Sequence, residues 1–457
     1  MRRVLAPRAA AIAGLLMAAW VMPGQAASFG QAYEAARAFD SRFQAAGFER
    51  QTAQEGVPIA RASLRPAVSA NLSDTQVTGV RIFPNALNQE VRLRTDYSAP
   101  QASLSMRAPI INWEATNNLR RAELLALGAD FVYQLRGLEL VDRLGSSYLD
   151  LLLAQENLVL AERQVTAFEA QMARAERRLQ RGEGTKTEIA QAQAALEQAR
   201  SKVVEATDQL TTARQALRRI TGQDMPAVNN IARDFEPPLL APAAVDEWLE
   251  LAKRQNPLIQ ARQQNVDAAK FTVQGRRAGH YPRLDVVASI SQVQNESLSS
   301  LNQTSRLSSI GFQLSVPLYS GGGVDASVRQ AAADLARLEE EARADREGVE
   351  LDVQRSHRTV LSGPTRIGAQ RKALAASEVA LEGVTKALEA GLATPVDVLD
   401  AQSRVYIAAR DLAQARYEYL QARLRLFAQA GTPAADIVQD IDRLLSVASP
   451  IKERTAP

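Results

Sequence analysis

An internal duplication constrains this sequence more than any other feature. The segment GEGTKTEIAQAQ at residues 182–193 returns as GLATPVDVLDAQ at residues 391–402, an offset of 209 residues. Three more pairs keep a similar spacing: Gly222 with Gly431, Pro109 with Pro317, and Pro66 with Pro282. The last pair is eight residues further apart than the one before it, which predicts an insertion in a variable hairpin loop. Two tandem copies of one supersecondary unit are therefore expected.

Each copy is expected to contain a long helical hairpin. After each repeated segment, apolar residues alternate at spacings of three and four, which indicates the seam of a left-handed coiled coil. A matching seam precedes each segment, so the two helices pair antiparallel around the short turn. The approach helices are expected over about residues 114–181 and 325–390, each on the order of 100 Å long. Ser362, Gly363 and Pro364 are expected to interrupt and kink the second one.

A β-hairpin is expected ahead of each helical hairpin. The strands are expected at residues 66–75 with 99–110, and at 282–292 with 305–318, each pair preceded by a helical stretch at 29–63 or 245–277. Their alternation of apolar and polar residues suits transmembrane strands, although a soluble β-layer packed on helices shows the same pattern. Trp113, Tyr281 and Tyr319 lie at strand ends, where interfacial aromatic residues are expected. Four strands cannot close a barrel, so the chain is expected to oligomerise.

Composition narrows the class of protein. Residues 1–26 have the basic start, apolar centre and small-residue cleavage site of a secretory signal peptide. Cysteine is absent, which excludes disulfides and a lipid-anchored cysteine, and no later run of about 20 apolar residues offers a helical membrane span. The net charge of +3 gives no indication of nucleic-acid binding.

No catalytic or cofactor site is expected. The chain has no arrangement of nucleophile and base, and its glycine segments lack the sequence of a phosphate loop. His280 and His357 are expected in surface or capping roles rather than as metal ligands. The protein is therefore predicted not to be an enzyme and to bind neither a metal nor a cofactor.

The predicted organisation has five parts. They are a signal peptide at 1–26, a first repeat at 27–222, a proline-rich equatorial linker at 223–245, a second repeat at 246–431, and a C-terminal equatorial segment and tail at 432–457.

With its duplication, its strand prolines and the tip segment at residues 391–402, this sequence resembles the TolC family of outer-membrane efflux and secretion proteins. The resemblance implies an α+β membrane protein, mainly helical, in which three chains close a twelve-stranded β-barrel and a coiled-coil tunnel, with four strands per chain. It also implies outer-membrane lipid around the barrel, and a periplasmic adaptor protein and an inner-membrane transporter, either ABC or proton-driven, as partners.

The missing cysteine favours a conduit for type I protein secretion over the lipid-anchored drug-efflux members. A multidrug efflux channel remains the alternative, and a periplasmic coiled-coil scaffold or adaptor is the alternative from another class. The expected location is the outer membrane of a Gram-negative bacterium, with a periplasmic helical domain.

The two hairpin tips are the candidate sites. Gly182 and Gly391 are expected in the turns, and Thr185 and Thr394 fit helix N-caps followed three residues later by Glu188 and Asp397, with Pro395 at the first helical position.

The resemblance implies that Asp397 and Asp400 line a periplasmic constriction, to which Glu188 adds a further carboxylate. Capping alone is the other interpretation of Asp397 and Glu188. A tyrosine and an arginine close the tip in the family prototype, but Leu388 and Ala393 occupy their places here, so Lys186 or Arg181 is the alternative for closing it.

Overall fold

The computed structural model describes residues 26–225, 227–232, 234–295 and 303–445. The expected signal peptide lies outside the described residues except for its last position, and so does the tail from residue 446. In the described ranges the chain is mainly helical with one four-stranded antiparallel sheet, which confirms the predicted fold class. The elements are α1 (Phe29–Phe39), α2 (Ser41–Ala62), β1 (Ala67–Pro84), β2 (Glu90–Ile111), α3 (Trp113–Gln180), α4 (Lys186–Thr221), α5 (Val245–Gln255), α6 (Pro257–Arg277), β3 (Arg283–Asn295), β4 (Gln303–Ser315), α7 (Gly323–Glu389), α8 (Pro395–Ala430) and α9 (Ala434–Leu444).

The same order of elements occurs twice: two short helices, a β-hairpin, a long helix and a returning helix. The boundaries placed between the repeats at residues 222 and 246 stay predictions. Helices α3 and α7 contain 68 and 67 residues, which at 1.5 Å per residue is about 100 Å each. Their partners α4 and α8 have 36 residues each, and every predicted seam position in these two helices is buried or half-buried.

The predicted interruption at Pro364 is wrong, because α7 continues through it as one helix. Proline in a helix clashes with the Cβ of the residue before it, and Gly363 has none. The same glycine lets α8 approach closely, since a Cβ added at Gly363 would overlap the ring of Tyr419.

Each shorter helical stretch is divided in two by a polar residue. Asp40 ends α1 and caps α2, accepting a hydrogen bond of 2.8 Å from the backbone N–H of Phe43. Asn256 separates α5 from α6 and accepts from the backbone N–H of Leu258 at 2.9 Å. Both side chains satisfy N–H groups that a helix start leaves without partners.

One hydrophobic core joins the middle of the long helices to α1, α5, α9 and the irregular linker. Tyr148 and Trp248 are fully buried in it. His357 of α7 also lies at the linker, 5 % exposed, with Nε2 3.0 Å from the carbonyl oxygen of Ala243. The expected surface or capping role of His357 is therefore wrong, because the linker folds over this part of α7.

The sheet runs β1-β2-β3-β4, and every neighbouring pair is antiparallel. The first hairpin is longer than predicted: residues 76–84 and 90–98, expected as a loop, extend both strands in register. The insertion therefore lengthens the two strands of the hairpin rather than its loop. The loop stays short because Asn85 closes a tight turn by accepting hydrogen bonds from the N–H groups of Leu87 and Gln89. In the second hairpin β4 ends at Ser315, three residues before the predicted end.

The two faces of the sheet differ in polarity. One row across the four strands consists of Val68, Met106, Ala288 and Ile310, and the next row, on the other face, consists of Ser69, Ser105, Ser289 and Ser309. The apolar face is bare in a single chain, where Leu72 is 81 % exposed and Phe312 78 %. No helix in the described ranges combines the length and hydropathy that a membrane span requires.

Candidate functional site at the hairpin tips

Each hairpin tip turns on a glycine and restarts on a threonine. Gly182 has φ 76° and Gly391 has φ 74°, a left-handed conformation that glycine adopts without strain. The following turn is closed by a backbone hydrogen bond of 2.9 Å from Glu183 to Arg178 in the first tip and of 2.8 Å from Leu392 to Ala387 in the second. The repeated sequence thus produces the same turn twice.

In the first tip, Thr185 and Glu188 form a capping box. The backbone N–H of Glu188 donates to Thr185 Oγ1 at 3.2 Å, and the backbone N–H of Thr185 donates to Glu188 Oε2 at 3.4 Å. The Glu188 carboxylate is half-buried and held by its own helix start.

In the second tip, Thr394 holds Asp397 more closely. The Thr394 hydroxyl and backbone N–H donate to Asp397 Oδ2 at 2.7 and 2.8 Å, while Asp397 N–H donates to Thr394 Oγ1 at 3.3 Å. Pro395 takes the first helical position, where its missing N–H costs nothing. The hydroxyl bond, followed by the backbone bond, lowers the pKa of Asp397 from its ordinary value of 3.8. Asp397 is therefore a stable anion at neutral pH.

Asp400 lies one turn further along α8 and is exposed, outside the capping box. It lines a cavity of about 260 Å³ between α8 and the first hairpin, together with Gln191, Lys202 and Ser403. Asp397 and Asp400 are three residues apart on α8, which makes them neighbours on one face of the helix, and both are exposed. Among the described residues, neither a hydrogen bond nor an ion pair joins Glu188 to either aspartate.

The residues considered for closing the tip differ in how far they are exposed. Leu388 and Ala393, the positions at which the resemblance implied a missing latch, are half-buried. Arg181 and Lys186 are exposed beside the first turn, so both cations are accessible for contacts with another chain.

The structure brings the two tips together through a contact that sequence reasoning missed. Leu399 is 6 % exposed and packs in a cluster with Phe168 and Ala199 of the first hairpin. It begins a second apolar stripe on α8: Leu399, Ala413, Tyr417, Leu420 and Leu424, all buried. The equivalent positions of α4 are Ala190, Val204, Asp208, Thr211 and Gln215. This difference between the repeats is the signal that predicts which helix packs on two sides.

Comparison with known proteins identifies the family. The family model described as outer membrane efflux protein matches residues 32–223 and 248–432. The proteases secretion protein PrtF of Dickeya chrysanthemi is 32% identical over 89% of this chain and 89% of its own. The alkaline protease secretion protein AprF of Pseudomonas aeruginosa is 28% identical over 92% and 88%.

The solved structure of the outer membrane protein VceC from Vibrio cholerae has the same fold, with a TM-score of 0.75 and 17% sequence identity. The match covers 88% of this chain and 96% of VceC. The resemblance seen in the sequence is thereby confirmed, and the chain belongs to the outer membrane efflux protein family.

Proposed function

We propose that this protein is the outer-membrane export conduit of a type I protein secretion system. Membership of the outer membrane efflux protein family supports a conduit. Two relatives that align over most of the chain, PrtF and AprF, are named for protease secretion, which favours a polypeptide cargo. The conduit is passive, with transport energy supplied by a partner.

The single observation that carries the proposal is the open sheet. Strands β1 and β4 are its edges, and among the residues that the structure describes neither edge has a second neighbour. Unpaired strand edges are not tolerated in lipid, so the sheets of three chains close into one barrel of twelve strands. The exposed apolar face, with Ile290 and Ile310 at 61 % and 79 % exposure, then meets the lipid.

The helices extend the barrel into the periplasm. A reach of about 100 Å suits a tunnel that meets an inner-membrane transporter and a periplasmic adaptor. An ABC transporter is the partner that type I secretion implies. We assign residues 1–26 to the cleaved signal that exports the chain, residues 27–222 and 246–431 to the repeats, and residues 223–245 and 432–457 to the equator.

The tip carboxylates form the constriction in this proposal. Three copies of Asp397 and Asp400 place six carboxylates around one aperture, which favours cations. Asp400 supports this role best, because its carboxylate lies outside the capping boxes that engage the carboxylates of Glu188 and Asp397.

Deletion of the gene and complementation test the function. Expressed with its native transporter and adaptor, the wild-type chain should restore secretion of the polypeptide cargo and fractionate as a heat-resistant trimer in the outer membrane. If the deletion strain loses drug tolerance but still secretes the polypeptide normally, a drug-efflux channel is favoured instead. A monomer in the periplasmic fraction would overturn the conduit and favour a scaffold.

A further inference from the structure

A cluster of charges on the polar face of the sheet has no part in the function described so far. Asp285 of β3 is 3 % exposed, and its carboxylate lies 3.1 Å from Arg283 Nε and 3.7 Å from Arg107 Nη1 of β2. Arg107 also reaches Gln313 of β4 at 3.5 Å. The cluster thus spans three strands, at the end of the sheet that adjoins the helices.

The row pattern places this cluster on the wall of the channel. Asp285 and Ser289 are four residues apart on β3, and Arg107 and Ser105 are two apart on β2, so all four share the polar face. The opposite face carries the bare apolar side chains. In a membrane barrel the apolar face meets lipid and the polar face lines the lumen.

The cluster has more positive charge than its structural role requires. One guanidinium is enough to pair the buried Asp285 carboxylate, and Arg283 holds it at the shorter distance. The side chains of Arg107 and Arg283 are still 54% and 45% exposed. Each chain therefore has one excess positive charge on this wall, and a trimer has three.

Neutral donors lie next to these guanidinium groups. Ser69 and Ser105 hydroxyls are 2.8 Å apart, and those of Ser289 and Ser309 are 2.9 Å apart, in a row that crosses all four strands. A trimer has three such rows. Guanidinium groups with hydroxyl donors at hand suit carboxylates, which they bind through charge-assisted hydrogen bonds.

We propose that Arg107 and Arg283 form an anion-binding ring where the helical tunnel meets the barrel, with small polycarboxylate anions as its ligands. The proposal rests on the threefold barrel of the proposed function. It gives the channel charges of opposite sign at two levels, carboxylates at the tip and guanidinium groups at the base of the barrel.

Citrate block of single channels tests the ring. The purified full-length trimer in a planar bilayer should lose conductance when citrate is added on the barrel side. Arg107→Gln with Arg283→Gln should raise the half-blocking concentration by about tenfold or more, because each charge-assisted hydrogen bond contributes at least that factor. Arg306→Gln, on the apolar face of β4, is the matched control and should not change the block.

Two further variants separate binding from structural effects. Asp285→Asn removes the carboxylate and leaves both guanidinium groups, so citrate should block at a lower concentration, whereas a purely structural cluster predicts no gain. Arg107→Lys with Arg283→Lys keeps the charge and should keep most of the block. A conducting trimer that citrate blocks equally in all variants overturns the ring, while failure of the wild-type chain to form a conducting trimer overturns the conduit itself.

Discussion

The carboxylate oxygen Oδ1 of Asp442 lies 2.9 Å from the backbone nitrogen of Phe29 and accepts its hydrogen bond. A residue of the last described helix, α9, thus caps the first helix, α1, across 413 positions of sequence. Ser28 completes the cap by accepting from the N–H of Gln31 at 3.2 Å. The two ends of the described chain are joined at the equator, halfway along the long helices.

We expect Asp442→Ala to destabilise the protein by about 1 kcal/mol, the usual cost of losing a helix N-cap. The measurement is the temperature at which the trimer dissociates on a denaturing gel. Gln439→Ala, an exposed position on the same helix, is the control and should leave the midpoint unchanged. Equal midpoints for both variants would show that the contact across the chain adds no stability.

We expect Gly363→Ala to destabilise the protein by roughly 1 to 3 kcal/mol, because the new methyl group meets the Tyr419 ring in a packed interface. Gly368→Ala is the matched control on the same helix. An added Cβ there meets nothing within 4 Å, so the variant should be more stable by up to about 1 kcal/mol. Thermal unfolding followed by circular dichroism measures both.

A double variant tests the cause of that loss. The offset of 209 residues pairs Gly363 and Tyr419 with Ala154 and Leu210 in the first repeat. In the Tyr419→Leu background, Gly363→Ala recreates that pair and should cost less stability than it does in the wild type, the remaining cost reflecting Pro364, which disfavours a Cβ on the residue before it. An equal cost in both backgrounds would assign the whole effect to the proline.

The low pKa of Asp397 predicts how the tip responds to acid. A carboxylate whose pKa is lower in the folded than in the unfolded state adds stability above the ordinary value of 3.8, and this stability is lost as the pH falls through the folded pKa. In Asp400→Asn, where Asp397 remains, cation selectivity should therefore persist below pH 3.8 in bilayer recordings.

Thr394→Val provides the comparison, because it removes the hydroxyl that is the largest cause of the lowered pKa. Added to Asp400→Asn, it should move the loss of selectivity to higher pH. If Asp397→Asn with Asp400→Asn leaves cation selectivity intact, the carboxylates do not form the constriction.

The buried hydroxyl of Tyr417 predicts that the folded protein loses stability in alkali. This hydroxyl lies 3.0 Å from Glu156 Oε2 and 2.8 Å from Asn230 Oδ1. Burial, followed by the Glu156 charge, raises the pKa of Tyr417 well above 10.0. The unfolded chain releases this proton near pH 10 while the folded chain keeps it, so stability is full below pH 10 and is lost as the pH rises further.

We expect Tyr417→Phe to cost about 1 to 3 kcal/mol at neutral pH, because Glu156 and Asn230 lose their shared partner. The variant should also lose less stability than wild type between pH 10 and 11, measured as the dissociation temperature of the trimer. Tyr319→Phe is the control, since the Tyr319 side chain is 89 % exposed. An unchanged alkaline slope in Tyr417→Phe would contradict this account.

The fold was predictable wherever it depends on short, regular spacing. Heptad spacing predicted the paired long helices. Thr394 and Asp397, which are three residues apart in sequence, predicted the start of a helix. Strand alternation predicted the sheet, although Asn85 and the residues around it gave too little indication that the first hairpin continues to Pro84. These features are local, because bond geometry alone places residues three, four or two apart on one face.

Packing decided the rest. The sequence alone did not show that Leu399 packs against Phe168, or that the Tyr419 ring packs against Gly363. It also did not show that the linker buries His357. Nor did it show that Arg107 and Arg283 would both meet Asp285 across two strands. Such contacts join segments far apart in the chain, so they depend on how whole helices and strands pack together. The sequence by itself determined the repeated helices, their turns and their caps.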